Sequence, residues 1–170
     1  TTVDVGTGSG AIAVALAREL PGARVLATDI DERALEAARA NASRNLVELE
    51  LFRGDLLHAV PADVRLGLVV SNPPYIPRGQ LDDLQPEVSR WEPRVALDGG
   101  DDGMELIRRL ATQARERLVP GGYLVTEIGW DQGPQVAELL DGLGYDEVAV
   151  HRDLAGLQRV VTAASAGADS

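Results

Sequence analysis

Short apolar runs and amphipathic stretches follow one another along most of the chain, separated by turn residues. Apolar or alternating runs predict seven strands, at residues 2–5, 24–28, 47–53, 66–71, 123–128, 147–151 and 160–163. Apolar residues at helical spacing predict helices at residues 11–20, 31–45, 104–118 and 136–143. Because strands alternate with helices over the first two-thirds of the chain, the pattern predicts a parallel sheet with helices on both faces.

The last two predicted strands are joined only by residues 151–159, which is too short for a helical crossover, so we expect this pair to be antiparallel. The predicted fold class is therefore α/β, a doubly wound and mostly parallel seven-stranded sheet with an antiparallel strand at one edge. Residues 76–102 carry three prolines and little periodicity, which predicts a long lid or binding loop. The small and polar residues 164–170 predict a flexible tail behind a single domain at 1–163.

Composition and charge narrow the classes of function. The 170 residues carry 16 basic and 27 acidic side chains, and the net charge of −11 argues against binding nucleic acid through bulk electrostatics. The absence of cysteine excludes disulfides and thiolate metal sites, and the absence of lysine excludes Schiff-base chemistry. No apolar run reaches the length of about 18 residues that a membrane span needs. We therefore expect an acidic cytoplasmic domain with no membrane contact and no stable nucleic-acid binding.

A glycine loop lies between the first strand and the first helix and consists of Gly6, Thr7, Gly8, Ser9 and Gly10. Glycine lets a backbone turn tightly and approach a ligand, and the helix that follows offers free N–H groups. The G-x-G-x-G spacing differs from the G-x-G-x-x-G of dinucleotide sites, so a merely structural turn is the alternative. Asp29 ends the second strand, about 20 residues further on, where an acid can bind ribose hydroxyls; a helix-capping or solvated acid is the alternative. Asp4 is expected to brace the loop.

Two residues after the third strand are further candidates for a nucleoside site. Asp55 would accept a hydrogen bond from the exocyclic amine of an adenine, and Leu56 would pack against the base. An aspartate in an ordinary β-turn explains the same position equally well, so both interpretations stay open.

The residues after the fourth strand combine an amide, two prolines and an aromatic ring, in the order Asn72, Pro73, Pro74 and Tyr75. They follow the strand at the edge where open α/β sheets bind ligands. Consecutive prolines fix the backbone and remove two N–H donors, so the local carbonyl groups stay free as acceptors. The Asn72 oxygen and the Pro73 carbonyl would accept the two hydrogens of an –NH₂ group, while Tyr75 offers a face to a planar group or a developing cation. A purely structural turn would need neither the asparagine nor the tyrosine.

The glycine loop, Asp29 and the Asn-Pro-Pro-Tyr tetrad together resemble the class I S-adenosylmethionine-dependent methyltransferases that act on a planar amide or amino nitrogen. Later segments narrow the resemblance, over residues 3–162, to the release-factor glutamine methyltransferases (the HemK/PrmC family); among them are Trp91-Glu92-Pro93, Gly99–Gly103, Glu127–Gly133 and Arg152–Gly156. Members of this family methylate the side-chain amide of the glutamine in the Gly-Gly-Gln motif of peptide-chain release factors.

The resemblance implies S-adenosylmethionine as cofactor and assigns a role to each candidate residue. The residues from Gly6 to Gly10 would line the methionine part, Asp29 would bind the ribose, and Asp55 and Leu56 would lie by the adenine. Asn72 would lie near the transferable methyl group. The acceptor glutamine of the release factor would be held by Asn72, Pro73, Pro74 and Tyr75. Glu92 and Glu127 would support the loop or the sheet edge. No metal is expected, because neither His58 nor His151 has a partner at metal-ligand spacing.

Members of the family carry an N-terminal helical domain that helps to recognise the release factor, whereas this chain begins inside the first strand. We therefore expect residues 1–163 to be the catalytic domain, without the recognition domain.

The alternative methyl acceptors are a glutamine of a ribosomal protein and the amino group of adenine or guanine in DNA or RNA. A nucleic-acid base would have to be flipped out of its stack to reach the site. A non-catalytic S-adenosylmethionine-binding module is the alternative from another class.

Overall fold

A seven-stranded sheet forms the centre of the computed structural model, which describes residues 1–83 and 96–167. The strands β1 to β7 are Thr2–Val5, Val25–Asp29, Glu50–Arg53, Leu66–Ser71, Leu118–Glu127, Tyr145–Arg152 and Gln158–Ser165. The α-helices of the described residues, α1 to α4, are Ala11–Glu19, Glu32–Arg44, Glu105–Arg117 and Gly133–Gly142. Short 3₁₀ segments occupy Leu56–Ala59 and Arg78–Asp83. Within the described ranges, no helix has the length and apolar character that crossing a membrane requires.

The strands lie in the order β3-β2-β1-β4-β5-β7-β6, which confirms the predicted mixed sheet. The strands from β1 to β5 run parallel to one another, whereas β7 runs antiparallel to both β5 and β6. The reversed strand β7 lies one position inside the edge, and β6 forms the edge itself. Val161 and Ala163 of β7 are fully buried. The more apolar strand of the hairpin therefore takes the interior position.

Side chains on both faces of the sheet are covered, as a doubly wound fold requires. Val25 and Ala27 of β2 pack with Ala13 of α1. Leu26, which lies between them in the strand, packs instead in the main core cluster with residues such as Ile107 of α3. Neighbouring residues of a strand point to opposite faces, so helices cover this sheet from two sides.

Several strand boundaries differ from the sequence prediction, most of all at β5, which begins at Leu118 rather than at residue 123 because Leu118 pairs with Leu66 of β4. β3 begins at Glu50 rather than at residue 47, because its ladder with β2 begins where Leu26 pairs with Glu50. β7 extends to Ser165, and both Ala164 and Ser165 are buried and paired with neighbouring strands. These two residues therefore belong to the sheet and not to the predicted tail at 164–170.

The predicted long loop at 76–102 is partly ordered by pairing between its two ends. Ile76 forms a parallel bridge with Asp98, and the Arg78 amide donates to the Gly100 carbonyl oxygen at 2.8 Å. Residues 84–95 of this loop lie outside the described residues, and with them Glu92 and the Trp91-Glu92-Pro93 segment.

Candidate active site

The carboxyl ends of the first four strands meet at one edge of the sheet. Val5 pairs with Ser71 across β1 and β4, so the glycine loop and the residues from Asn72 onwards leave the sheet side by side. On the other flank, Asp29 pairs with Arg53, two residues before Asp55. The strand order changes direction between β1 and β4. This is the topological switch point, where open α/β sheets form their ligand crevice.

Hydrogen bonds with β2 and α2 hold the glycine loop in place. The amides of Gly6 and Thr7 both donate to the Thr28 carbonyl oxygen at 2.9 Å, and Asn41 Nδ2 of α2 donates to the Ser9 carbonyl oxygen at 2.9 Å. Gly10 has a φ of +81°, and a Cβ added there would lie 2.8 Å from the Ala38 Cβ. The loop therefore packs too closely on α2 for any side chain at this position.

Gly6 and Gly8 differ from Gly10 because the space beside them is open. Their φ values are +69° and +55°, and no atom would lie within 4 Å of a Cβ added at either residue. Their backbone is thus accessible to a ligand that lies against the loop, and it precedes the amino end of α1.

Asp4 braces the loop, as the sequence predicts. Its Oδ2 accepts hydrogen bonds from the Thr7 hydroxyl at 2.6 Å and from the Ala13 amide at 3.0 Å, while Oδ1 has no partner. The residue is 1% exposed, and burial raises the pKa of Asp4 above its usual value. A buried acid thus joins β1, the loop and α1.

Asp29 lies directly beside the glycine loop. Its Oδ2 accepts from the Gly8 amide and its Oδ1 from the Asp31 amide, both at 2.9 Å. The side chain that caps α2 is that of Asp31, which accepts from the Arg33 amide at 3.0 Å, so Asp29 is not the capping residue. Its carboxylate is partly exposed next to the loop, where its remaining lone pairs can accept from hydroxyl groups.

Asp55 and Leu56 lie on the far side of Asp29 from the loop. The Gly54 amide donates to the Asp29 carbonyl oxygen at 2.9 Å, which draws the two strand ends together. The Asp55 carboxylate forms an ion pair with Arg109 of α3, a residue that the sequence analysis does not single out. Leu56 packs partly against the main core with a φ of +50°.

We call residues 72–75 the hook. Asn72 is exposed, and its amide makes no hydrogen bond to any described residue, whereas Pro73 is buried. At the start of the hook, the Ser71 hydroxyl donates to the Val5 carbonyl oxygen at 2.7 Å, which fixes the end of β4 to the end of β1. The hook thus carries the unpaired side-chain amide of Asn72 next to the glycine loop, and its first residue follows a strand end that is fixed to β1.

The far end of the hook is held at Tyr75 by two contacts. The Tyr75 hydroxyl donates to Glu127 Oε1 at 3.2 Å, and Gln132 Nε2 donates to the Tyr75 carbonyl oxygen at 3.0 Å. Burial raises the pKa of Tyr75 above its usual value, and the neighbouring Glu127 carboxylate raises it further. The phenol therefore keeps its proton at neutral pH and acts as a hydrogen-bond donor to Glu127.

Neither Gln132 nor Arg109 has a role that the sequence predicts, because both act through contacts with residues distant in the chain. Gln132 lies in the segment Glu127–Gly133, which resembles a known family, but its spacing to the hook follows no local pattern. Within the described residues, no group of three or more histidines or acids could hold a metal ion. His151 bonds instead to Thr162 on the edge hairpin, at 2.9 Å.

Comparison with known proteins places this geometry in a family. Residues 1–85 match the model of the methyltransferase small domain, which covers the glycine loop, the ends of the first four strands and the hook. The chain belongs to the methyltransferase small domain family. In the solved structures, a methyltransferase from Pyrococcus furiosus has the same fold, with a TM-score of 0.73 and 21% identity over 98% of this chain and 75% of that one.

Curated relatives of this methyltransferase-family chain carry a more specific name. A release factor glutamine methyltransferase from Geobacter sulfurreducens is 43% identical over 159 residues, which cover 94% of this chain and 56% of the relative. One from Gloeobacter violaceus is 46% identical over 162 residues, again 94% of this chain and 56% of the relative. The chain thus spans little more than half the length of these relatives.

Proposed function

We propose that the chain uses S-adenosylmethionine to methylate the side-chain amide nitrogen of a glutamine, in the Gly-Gly-Gln loop of a peptide-chain release factor in the cytoplasm. The observation that carries the proposal is the position of the hook. The Ser71–Val5 hydrogen bond of 2.7 Å joins the residue before Asn72 to the residue before the glycine loop. A site that joins a methyl donor to a planar nitrogen needs this kind of adjacency. Residues 1–165, which include the whole of β7, would form the catalytic domain.

The cofactor would lie along the glycine loop, and the residues present fit it. The open space beside Gly6 and Gly8 would take the methionine part, and the Asp29 carboxylate next to Gly8 would accept hydrogen bonds from the two ribose hydroxyls. Asp55 and Leu56 follow the next strand end, on the side where the adenine would extend. The bound cofactor supplies an activated methyl group on a sulfonium.

The acceptor amide would be gripped by the hook. The Asn72 side-chain oxygen and the Pro73 carbonyl oxygen would accept the two hydrogens of the glutamine –NH₂, and the Tyr75 ring would pack against the amide plane. An amide nitrogen is a poor nucleophile because its lone pair is delocalised, so its orientation towards the methyl carbon decides the rate. As the nitrogen becomes positive during transfer, its N–H groups become better donors, and both hydrogen bonds stabilise the transition state more than the ground state.

The reaction balances without a dedicated base. The amide nitrogen held by Asn72 and Pro73 would form its bond to the methyl carbon as the carbon–sulfur bond of the donor breaks, with a neutral thioether as the leaving group. The methylated nitrogen is positively charged and strongly acidic, so it releases a proton after the transfer. Among the described residues, no histidine lies at the hook: His58 follows Asp55 in a 3₁₀ segment, and His151 lies on β6.

Kinetics of an Asn72→Ala variant test the proposal. With a Gly-Gly-Gln peptide as substrate, we expect turnover to fall by about 100-fold or more, the usual effect of removing one polar group that stabilises a transition state. S-adenosylmethionine affinity, measured by calorimetry, is expected to stay within about twofold of the unaltered chain. Asn45→Ala is the matched control, since Asn45 is an exposed asparagine at the end of α2. Near-normal turnover of Asn72→Ala would refute the role of the hook.

A further inference from the structure

The strongest unexplained feature near the hook is the buried amide of Gln132. This residue is 6% exposed and precedes the first turn of α4. Its Nε2 donates to the carbonyl oxygens of Tyr75 at 3.0 Å and Gly103 at 3.2 Å, and its Oε1 accepts from the Gly129 amide at 2.8 Å. One side chain thus joins the loop after β4, the loop before α3 and the loop after β5.

We propose that Gln132 is a positioning residue for the methyl transfer, an inference that rests on the proposed function. Both N–H groups and the oxygen of its amide are engaged, so the side chain has one orientation that satisfies all three partners. No other common side chain of this size offers two donors and one acceptor in this arrangement. Gln132 therefore fixes where the Tyr75 carbonyl lies, and does not merely fill space.

The packing around Gly103 shows how little freedom this end of the hook has. A Cβ added at Gly103 would lie 2.4 Å from the Tyr75 carbonyl oxygen and 2.8 Å from Gln132 Nε2. The loop before α3 therefore blocks the Tyr75 carbonyl on one side, and the Gln132 amide holds it by a hydrogen bond. Without that bond, the Tyr75 carbonyl loses its hydrogen-bond donor, and its peptide unit keeps the bond from the Ile76 amide to the Leu97 carbonyl oxygen at 3.2 Å.

A shift of Tyr75 would be transmitted to the acceptor-binding groups. Pro73 and Pro74 each fix φ near −65°, so the backbone between Asn72 and Tyr75 moves as a stiff unit. Its other end is tied to β1 through Ser71. The two ends together set the direction in which the Asn72 oxygen and the Pro73 carbonyl point. Because a misplacement of about 1 Å can cost about 100-fold in rate, Gln132 controls turnover without touching the substrate.

Two variants of Gln132 test this role with the Gly-Gly-Gln peptide assay. Gln132→Met keeps the length of the side chain and removes all its hydrogen bonds. Gln132→Glu keeps the acceptor for Gly129 but directs a carboxylate oxygen at the carbonyl oxygens of Tyr75 and Gly103. We expect kcat to fall by about 10- to 100-fold in the Met variant and further in the Glu variant. The peptide KM should change by less than about threefold, and the S-adenosylmethionine affinity should not change.

Gln135→Met is the matched control, because Gln135 is an exposed glutamine one turn further along α4, and its kcat should stay within about twofold. Thermal unfolding of every variant confirms that the assay is done on folded protein. A Gln132→Met variant that is destabilised but keeps the kcat of the unaltered chain would overturn the proposal, as would a Glu variant more active than the Met variant. If the unaltered chain binds S-adenosylmethionine but methylates no peptide, the proposed function fails first, and this outcome is distinct from a failure at Gln132.

Discussion

Alanine substitutions at three glycines with positive φ distinguish an effect on stability from an effect on cofactor binding. Gly22, Gly10 and Gly8 have φ values of +87°, +81° and +55°. Replacing each with alanine imposes a similar backbone penalty but places the new methyl group in a different environment. At Gly22 and Gly8 no atom lies within 4 Å of the added Cβ, whereas at Gly10 the Ala38 Cβ lies at 2.8 Å.

The expected losses of stability follow from these distances. A left-handed backbone costs an alanine about 1–2 kcal/mol, so Gly22→Ala and Gly8→Ala should each lower the free energy of unfolding by about that amount. Carbon atoms prefer a separation of about 3.5–4.0 Å, so Gly10→Ala forces the loop and α2 apart by about 1 Å. Overpacking of this kind adds about 1–3 kcal/mol, for a total of about 2–5 kcal/mol.

Urea unfolding and S-adenosylmethionine calorimetry on the three variants distinguish the two effects. Gly8→Ala should be as stable as Gly22→Ala but bind S-adenosylmethionine at least about tenfold more weakly, a loss of about 1.4 kcal/mol, because its methyl group occupies space beside the loop that the cofactor would fill. Gly22→Ala should bind as the unaltered chain does. Equal affinity in Gly8→Ala and Gly22→Ala would refute the placement of the cofactor, and equal stability of Gly10→Ala and Gly22→Ala would refute the close packing on α2.

Three further predictions concern the residues that hold the loop and the hook. Ser71→Ala removes the hydrogen bond to β1 and should lower the free energy of unfolding by about 1 kcal/mol in urea titrations, while turnover of the peptide falls more than cofactor affinity; turnover equal to that of the unaltered chain would contradict this. Glu127→Gln removes the negative charge beside Tyr75, so the pKa of Tyr75 should move down towards its usual value in an ultraviolet pH titration, and an unchanged titration would show that the contact is absent in solution. Burial raises the folded-state pKa of Asp4 above its unfolded-state value, so the folded chain takes up a proton at a higher pH than the unfolded chain does, and acidification towards that raised pKa should stabilise the unaltered chain relative to Asp4→Asn in urea titrations. A loss of stability relative to Asp4→Asn over this acidification would contradict the burial argument.

Much of the site could be predicted because it depends on topology and not on detailed packing. Strands that alternate with helices run parallel, and parallel strands bring their carboxyl ends to one edge. The glycine loop, Asp29 and Asn72 each follow a predicted strand, so their approach to one another follows from the fold class. Asp4 could be assigned a bracing role for a similar reason, since its place just before the loop leaves few other partners.

The residues that could not be predicted act across long sequence separations. Gln132 bonds to the Tyr75 carbonyl across 57 residues, and Arg109 pairs with Asp55 across 54. Neither contact has a periodicity or a spacing that marks it in the sequence, because each depends on how two loops meet after the sheet has formed. The position of β7 inside the edge also depends on tertiary packing, since a short hairpin with β6 fits either order of the two strands.

Mass spectrometry of a release factor, incubated with this chain and S-adenosylmethionine, shows whether the chain methylates the glutamine amide. We expect one added methyl group, located by fragmentation on the side chain of the Gly-Gly-Gln glutamine, and methylation at least about 100-fold slower when the Asn72→Ala variant is used. An unmethylated glutamine in a reaction where calorimetry shows that S-adenosylmethionine binds, or a methyl group found at another residue, would contradict it.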